Sequence, residues 1–385
     1  MIQYGRQDIS QADIDAVVAV LESDFLTQGP VMPAFENAVA DYCGAQHAIA
    51  VNSATSGLHI ACLALGVGEG DIVWTAANTF VASANCALYC GAKVDFVDID
   101  PRTYILDVER LSEKLAAAKK VNKLPKVVIP VHLCGQSCDM QGIQALSHQY
   151  GFRIIEDASH AIGGKYKNKH VGDGRYSDIT IFSFHPVKII TTGEGGMAVT
   201  NDANLAKDMR FFRSHGISNF EIDMQPRPET EIWNYQQVKL GFNYRLTDIQ
   251  AALGISQLKR LDEFVSKRHE IANIYNKELN DFPIKIPWQH PDTYSSYHLY
   301  PILINYEEAG ISQRNAYDAM QSAGINVNLH YIPVYRHPYY EAMGFRPGYC
   351  KESERYHREA LSIPMYPSLS VSEQTKVIRA IIDLF

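Results

Sequence analysis

Between residues 46 and 201, short apolar runs alternate with stretches of helical period. The runs fall at 47–52, 71–75, 93–99, 126–132, 153–157, 178–184 and 197–200. Several are continuously apolar instead of alternating, as strands covered on both faces are. Helical patterns lie between them, among others at 55–65, 108–119 and 140–150. This succession predicts an α/β fold with a large, doubly wound, mostly parallel sheet. Ligands of such sheets sit at the carboxyl ends of the strands. Asn52-Ser53-Ala54-Thr55-Ser56, Asp157 and Ser183-Phe184-His185 all fall at predicted strand ends.

Residues 246–279 read as one long helical stretch, capped by Thr247, with an apolar face at Ile249, Leu253, Ile255, Leu258 and Leu261. Pro283, Pro287 and Pro291 then mark a linker. Beyond it, strands are expected at 297–304 and 326–329, and helices at 312–323 and 371–384. The expected organisation is a large domain over 1–245, a connecting helical stretch over 246–281 and a small α+β domain over 282–385.

A chain of 385 residues suits about two domains. With 46% apolar and 20% charged residues, it reads as an ordinary globular protein with a large core. The net charge of −8 argues against a general binder of nucleic acid or anionic membrane. The start, Met1-Ile2-Gln3-Tyr4-Gly5-Arg6-Gln7-Asp8, carries no apolar leader, and no run is long enough to span a bilayer, so a cytoplasmic setting is expected. The seven cysteines are scattered without a Cys-x-x-Cys. Cys86 and Cys90, and Cys134 and Cys138, are four apart, yet buried reduced thiols are the better reading than a metal site.

The candidate chemistry centres on Lys188, in Ser183-Phe184-His185-Pro186-Val187-Lys188-Ile189-Ile190-Thr191-Thr192-Gly193-Glu194-Gly195-Gly196. Glu156-Asp157-Ala158-Ser159-His160-Ala161 lies upstream. An amine able to condense with an aldehyde, a carboxylate ending an apolar strand and a small-residue loop are what pyridoxal 5′-phosphate (PLP) needs. Taken alone, Asp157 reads first as a helix cap; with Lys188 downstream, an ion pair to the ring nitrogen is preferred. The Asn52–Ser56 turn offers hydroxyls and a helix N-terminus to a phosphate, the alternative being a simple N-cap. Ser183 adds a hydroxyl from a nearby strand end. Phe80 is a candidate to stack on a ring, against the commoner fate of core packing. His160, three residues after Asp157, shares its face if a helix starts there, and suits a phenolic oxygen.

Over nearly its whole length the chain resembles the DegT/DnrJ/StrS sugar aminotransferases, which are fold-type I PLP enzymes. The likeness rests on Leu26-Thr27-Gln28-Gly29-Pro30, Asn52–Ser56, Pro130-Val131-His132-Leu133-Cys134-Gly135-Gln136, Glu156–Ala161, Ser183–Gly196 and the run from Gly241-Phe242-Asn243-Tyr244-Arg245 to Gly254. Tyr4-Gly5-Arg6-Gln7, Phe212-Arg213-Ser214-His215-Gly216 and His330-Tyr331-Ile332-Pro333-Val334-Tyr335 resemble the subgroup acting on UDP-linked 4-keto-6-deoxy-N-acetylhexosamines in pseudaminic acid synthesis.

The resemblance implies roles. Lys188 would carry the cofactor and shuttle protons, Asp157 would pair with the ring nitrogen, and His160 would meet the phenolic oxygen. Phe80 and Ser159 would flank the ring; Ala54, Thr55 and Ser183 would bind phosphate. Asn243 would reach the phosphate of a partner subunit, making a homodimer with shared sites. Tyr4, Asp24, Phe25, Leu26, Thr27, His330 and Tyr331 would contact the nucleotide sugar, and no metal is implied. L-Glutamate would donate its amino group, through the pyridoxamine 5′-phosphate form, to C4 of UDP-2-acetamido-2,6-dideoxy-β-L-arabino-hex-4-ulose. Many relatives have Gly where this chain has Ala54, which bears on the amide geometry of the phosphate turn. A dTDP- or GDP-linked ketosugar is the alternative substrate. A sugar dehydratase on the same scaffold would lack the lysine, and a PLP-binding regulator would need a DNA-binding module for which the match leaves no room.

Overall fold

The computed structural model describes residues 1–226, 228 and 230–385. Strands β1 (His47–Val51), β2 (Ile72–Ala76), β3 (Lys93–Val97), β4 (Val127–Ile129) and β5 (Arg153–Asp157) alternate with helices. The short pair β6 (Lys165–Tyr166) and β7 (Lys169–His170) follows, then β8 (Ile179–Ser183) and β9 (Gly196–Thr200). Seven strands form one sheet in the order β1-β9-β8-β5-β4-β2-β3. β9 runs antiparallel to both of its neighbours, while the pairs from β8 to β3 are parallel. The carboxyl ends of β1, β5 and β8 and the start of β9 therefore share one edge.

Helices α1 (Gln11–Leu21) and α2 (Val31–Cys43) precede the sheet, and α3 (Ala54–Ala64), α4 (Ala82–Tyr89), α5 (Val108–Lys120), α6 (Met140–Tyr150) and α7 (Ala203–Arg213) interleave with or follow it. Side chains alternate across the strands. Val73, Val127 and Ile155 face a core with Leu58, Ile60 and Met209 of α3 and α7. Trp74, Val128 and Ile154 face the opposite core, with Leu111 and Leu115 of α5 and Ile143 of α6. Both faces are covered, which is why the strands read as continuous apolar runs. A two-residue ladder, β10 (Ile217–Ser218) with β11 (Gln236–Gln237), projects after α7.

The stretch expected as one long helix is two, α8 (Asp248–Leu258) and α9 (Leu261–Leu279). Thr247 caps α8 in a reciprocal box with Gln250. α9 touches two cores: Leu261, Phe264 and Val265 pack with Phe35 and Phe182, whereas Ile271, Ala272, Tyr275 and Leu279 pack with Tyr300, Met320 and Val377.

The C-terminal unit holds a three-stranded sheet, β12 (Ile284–Lys285), β14 (Tyr300–Ile304) and β15 (Ala360–Ile363), in the order β12-β14-β15, while β13 (Thr293–Tyr294) pairs with β6. Helices α10 (Gln313–Ser322), α11 (Pro338–Glu341), α12 (Lys351–Glu359) and α13 (Val371–Ile382) complete it. The strand expected at 326–329 is instead an irregular segment with a single bridge, Asn328 to Ser362. Asn328 and Leu329 line the cavity described below, whereas Val327 packs into the C-terminal core. Among the described residues, no helix is long and apolar enough to cross a membrane.

Candidate active site

A cavity of about 990 Å³ opens at the shared sheet edge. It gathers Tyr4, Ala54, Thr55, Phe80, Asp157, Ser159, His160, Ser183, Lys188, His330 and Tyr331, eleven of the residues singled out in the sequence. Asp24, Phe25, Leu26 and Thr27 do not reach it. They are exposed, and Phe25 lines a separate cavity of about 530 Å³ between α1 and α8. Asn243 is exposed and lies outside its own chain's cavity, bridged to Ser214.

Asp157 ends β5, buried at 5% exposure. Its Oδ1 accepts from the Ser159 amide at 3.1 Å and the Ser159 hydroxyl at 2.6 Å. Its Oδ2 accepts from the Ser83 hydroxyl at 2.6 Å, and Ser83 lies 2.8 Å from the hydroxyl of Thr79. These bonds fix the carboxylate toward the cavity. They also replace the local cap reading, because no α-helix follows Asp157.

Lys188 sits in the loop from β8 to β9. The loop is clamped by Phe184 N to Gly195 O at 2.9 Å and Thr192 N to Phe184 O at 3.0 Å. Burial, opposed by the Asp157 carboxylate, pushes the Lys188 amine down to about 8. A larger share of it is then neutral near physiological pH than for a surface lysine.

The turn at 52–56 ends β1 and opens α3. Ser53 Oγ accepts from Ser56 N at 3.1 Å, and the first intrahelical bond is Gly57 N to Ser53 O. The N–H groups of Ala54 and Thr55 thus precede the helical ladder and face the cavity with the positive end of the helix dipole. A Cβ on Gly196 would come within 2.6 Å of Ala54 N, so β9 lies directly beneath the turn only because this residue is glycine.

Three histidines surround the lysine. His160 Nδ1 accepts from Cys134 N at 3.2 Å, which assigns the proton to Nε2, 3.3 Å from the Tyr331 hydroxyl. Burial, then Lys188 and His330, hold His160 well below the usual histidine range. The His298 ring lies 4.3 Å from that of His160, tilted by 49°, and is likewise held low by burial, His160 and Lys188. His330 is driven to about 3 by burial and Lys188. All three are neutral donors or acceptors. Tyr4 lies 5.2 Å from His330, ring to ring. Phe80 is 56% exposed at the rim, 6.0 Å from the Tyr331 ring, not packed in the core.

The sequence reading omitted Ser83, Asn78, His298 and Asn328. Asn78 Oδ1 accepts from Tyr331 N at 3.0 Å and so ties the C-terminal unit to the cavity wall. His298 and Asn328 line the cavity themselves. His298 stands out in the sequence as a histidine directly before the apolar stretch 299–304, whereas Ser83, inside an alanine-rich helix, carries no such signal. His132 and Glu156 form a buried pair at 2.7 Å away from the cavity lining, with Ser177 and Thr180 also on Glu156.

The arrangement fits PLP. A buried amine, a fixed carboxylate, unladdered helix N–H groups and a neutral imidazole donor face one space large enough for a cofactor and a second ligand.

Comparison with known proteins agrees with this geometry. The UDP-4-amino-4,6-dideoxy-N-acetyl-β-L-altrosamine transaminase of Campylobacter jejuni serotype O:2 is 39% identical over 374 residues, covering 97% of this chain and 94% of that protein. Among solved structures, Helicobacter pylori PseC, an aminotransferase of pseudaminic acid biosynthesis, superposes with a TM-score of 0.89 at 30% identity, covering 100% and 99% of the two chains. Spr1654 of Streptococcus pneumoniae, in its PMP form, gives 0.89 at 28% identity, covering 100% and 99%. The profile of one family matches residues 7–382, and the chain belongs to that family, the DegT/DnrJ/EryC1/StrS aminotransferases.

Proposed function

We propose that the protein is a PLP-dependent nucleotide-sugar aminotransferase. It takes the amino group of L-glutamate, through the pyridoxamine 5′-phosphate form, and delivers it to C4 of a UDP-linked 4-keto-6-deoxy-N-acetylhexosamine bound for pseudaminic acid or a related surface glycan. The observation that carries this is the meeting of Lys188, Asp157 and the start of α3 in one cavity. The likeness to the Campylobacter jejuni transaminase and to PseC supports the substrate, and Spr1654, solved in PLP and PMP forms, supports the cofactor.

PLP, when bound, supplies an aldehyde for the amine and a ring that accepts the electron pair released at the reacting carbon. The protein supplies the rest. Lys188 Nζ, neutral above about 8, takes a proton from the reacting carbon and returns it. Asp157 holds a protonated ring nitrogen by charge. The N–H groups of Ala54 and Thr55, with the Ser183 hydroxyl, hold the phosphate. Phe80 and Ser159 would flank the ring, and His160 Nε2–H would donate to the phenolic oxygen. Tyr4, His330 and Tyr331 bind the sugar. Asn243, exposed and outside its own cavity, serves the partner's phosphate in a homodimer. Asp24, Phe25, Leu26 and Thr27 contact the nucleotide on the same footing, from outside the cavity of their own chain. The units 1–245 and 282–385 act as cofactor domain and small domain, joined through 246–281.

The test is an absorbance spectrum of the purified protein with and without glutamate, followed by a panel of UDP- and dTDP-4-ketosugars with mass detection of products. A visible band that glutamate bleaches, and a mass change from ketone to amine on a UDP sugar, are expected. Absence of the band from a PLP-loaded preparation overturns the cofactor assignment; turnover of dTDP sugars alone overturns the nucleotide.

A further inference from the structure

We propose that His132 is a positioning residue for His160. Held by Glu156, it closes the turn that brings the Cys134 N–H to His160 Nδ1, and so fixes which nitrogen of His160 carries its proton into the cavity. The consequence for the cofactor rests on the PLP reading above; the place of the proton on His160 does not. Neither His132 nor Glu156 lines the cavity, and both are buried. Glu156 and Asp157 are neighbours in β5 and project from opposite faces of the sheet, so Glu156 points away from the side on which Asp157 meets the cavity.

The imidazole of His132 is held at both nitrogens. Cys138 N donates to Nδ1 at 3.1 Å, so Nδ1 presents a lone pair and the proton of the ring lies on Nε2. That nitrogen is 2.7 Å from Oε2 of Glu156, which accepts. The hydroxyls of Ser177 and Thr180 both donate to Oε1, the latter at 3.0 Å, which leaves Oε2 to His132. The backbone of His132 is tied down as well. His132 N donates to Asp157 O at 3.0 Å, and Asp157 N donates to Pro130 O at 2.9 Å. The turn that follows is therefore registered on the strand that carries Asp157.

The bond from Cys138 closes this turn over 132–138, and Gly135 N to His132 O, at 3.1 Å, braces it from within. Inside it Cys134 has a φ of +61°. A residue with a Cβ keeps that left-handed backbone only where its surroundings enforce it. In this conformation Cys134 N donates to His160 Nδ1 at 3.2 Å. The proton of His160 then lies on Nε2, which faces Tyr331 and the cavity. The opposite tautomer would turn a lone pair, not a donor, toward a phenolic oxygen. A donor there favours the more negative, deprotonated state of the bound cofactor, so its loss raises the pH at which the visible band titrates.

The test begins with the full-length, unaltered protein, free of cofactor and carrying isotope-labelled histidine. Proton–nitrogen NMR correlation reads which ring nitrogens are protonated, and His132 and His160 are both expected in the Nε2–H form. Two variants then separate the contacts of His132. His132→Gln can still donate to Glu156 but leaves Cys138 N without its acceptor; His132→Asn can accept from Cys138 N but falls short of Glu156. The Gln variant should lose the Nε2–H signature of His160, and the Asn variant should keep it. In PLP-loaded protein, the pH midpoint of the visible band should rise by about one unit in the Gln variant and stay in place in the Asn variant. A merely structural role predicts the reverse order, since Gln keeps the buried Glu156 paired and Asn does not. A proton on Nδ1 of either histidine in the unaltered protein overturns the proposal, whether or not the variants fold. So does a folded Gln variant in which His160 keeps its Nε2–H. Both tautomers as expected, with no visible band after PLP is added, would overturn the cofactor assignment and uphold the positioning of His160.

Discussion

The hydroxyl of Ser83 donates to Oδ2 of Asp157 across 2.6 Å, joining α4 to the end of β5. Ser83 is fully buried, so the bond is shielded from water. A hydrogen bond to a charged group contributes about 1.5–3 kcal/mol. Ser83→Ala should therefore fold and bind cofactor but lose roughly tenfold in turnover, because the carboxylate loses one of its restraints. Single-turnover kinetics with glutamate read this directly; an unchanged rate would show that Ser159 alone positions Asp157.

Asp157→Asn should hold the cofactor yet lose most of the rate, since an amide cannot keep a ring nitrogen charged. Removing one such electrostatic partner from a dry site costs on the order of 3 kcal/mol, or roughly a hundredfold. Steady-state turnover is the measurement, and a fall below about threefold counts against the ion pair.

Lys188→Ala should abolish turnover and the visible absorbance together. In the unaltered apoprotein, capture of PLP needs the neutral amine. The depressed Lys188 is protonated below about 8 and neutral above it, so the capture rate should climb with pH and level off above that point. Stopped-flow absorbance across pH 6 to about 10 covers the range. A rate still climbing at the top would place Lys188 near an ordinary lysine.

Asn243 is tested by complementation. In a heterodimer of Lys188→Ala and Asn243→Ala protomers, sharing across subunits puts both defects in one site and leaves the other intact. Activity above either parent is expected after mixing and re-association. No recovery in a mixture shown to contain heterodimer would mean that each site is built from one chain.

Much of this architecture was legible in the sequence. Runs such as 153–157 and 178–184 announce buried strands because both sheet faces are covered, and the chemistry falls at their ends. The reversal of β9 was not legible, since strand direction depends on partners distant in sequence. The break between α8 and α9 was missed because the apolar face at Ile255, Leu258 and Leu261 continues across it without glycine or proline. Ser83 and His298 were missed for another reason. Their roles come from residues 74 and 138 positions away, Asp157 and His160, which no local pattern encodes.

The Tyr4 and His330 rings meet at 5.2 Å, tilted to one another, and the first residues are pinned there by bonds from Met365 N to Tyr4 O and from Asn326 N to Ile2 O. This segment thus docks on groups far away in sequence, Gly324, Asn326, His330 and Met365, so its place is set only once the C-terminal unit has formed. The Lys188 loop, by contrast, is clamped by neighbours a few positions away and can close early. The cavity consequently gains its last wall only when both extremes of the fold meet. Cofactor retention then becomes a late checkpoint of assembly, and a disturbance at Ile2 would be felt at the Tyr4 and His330 wall of the cavity.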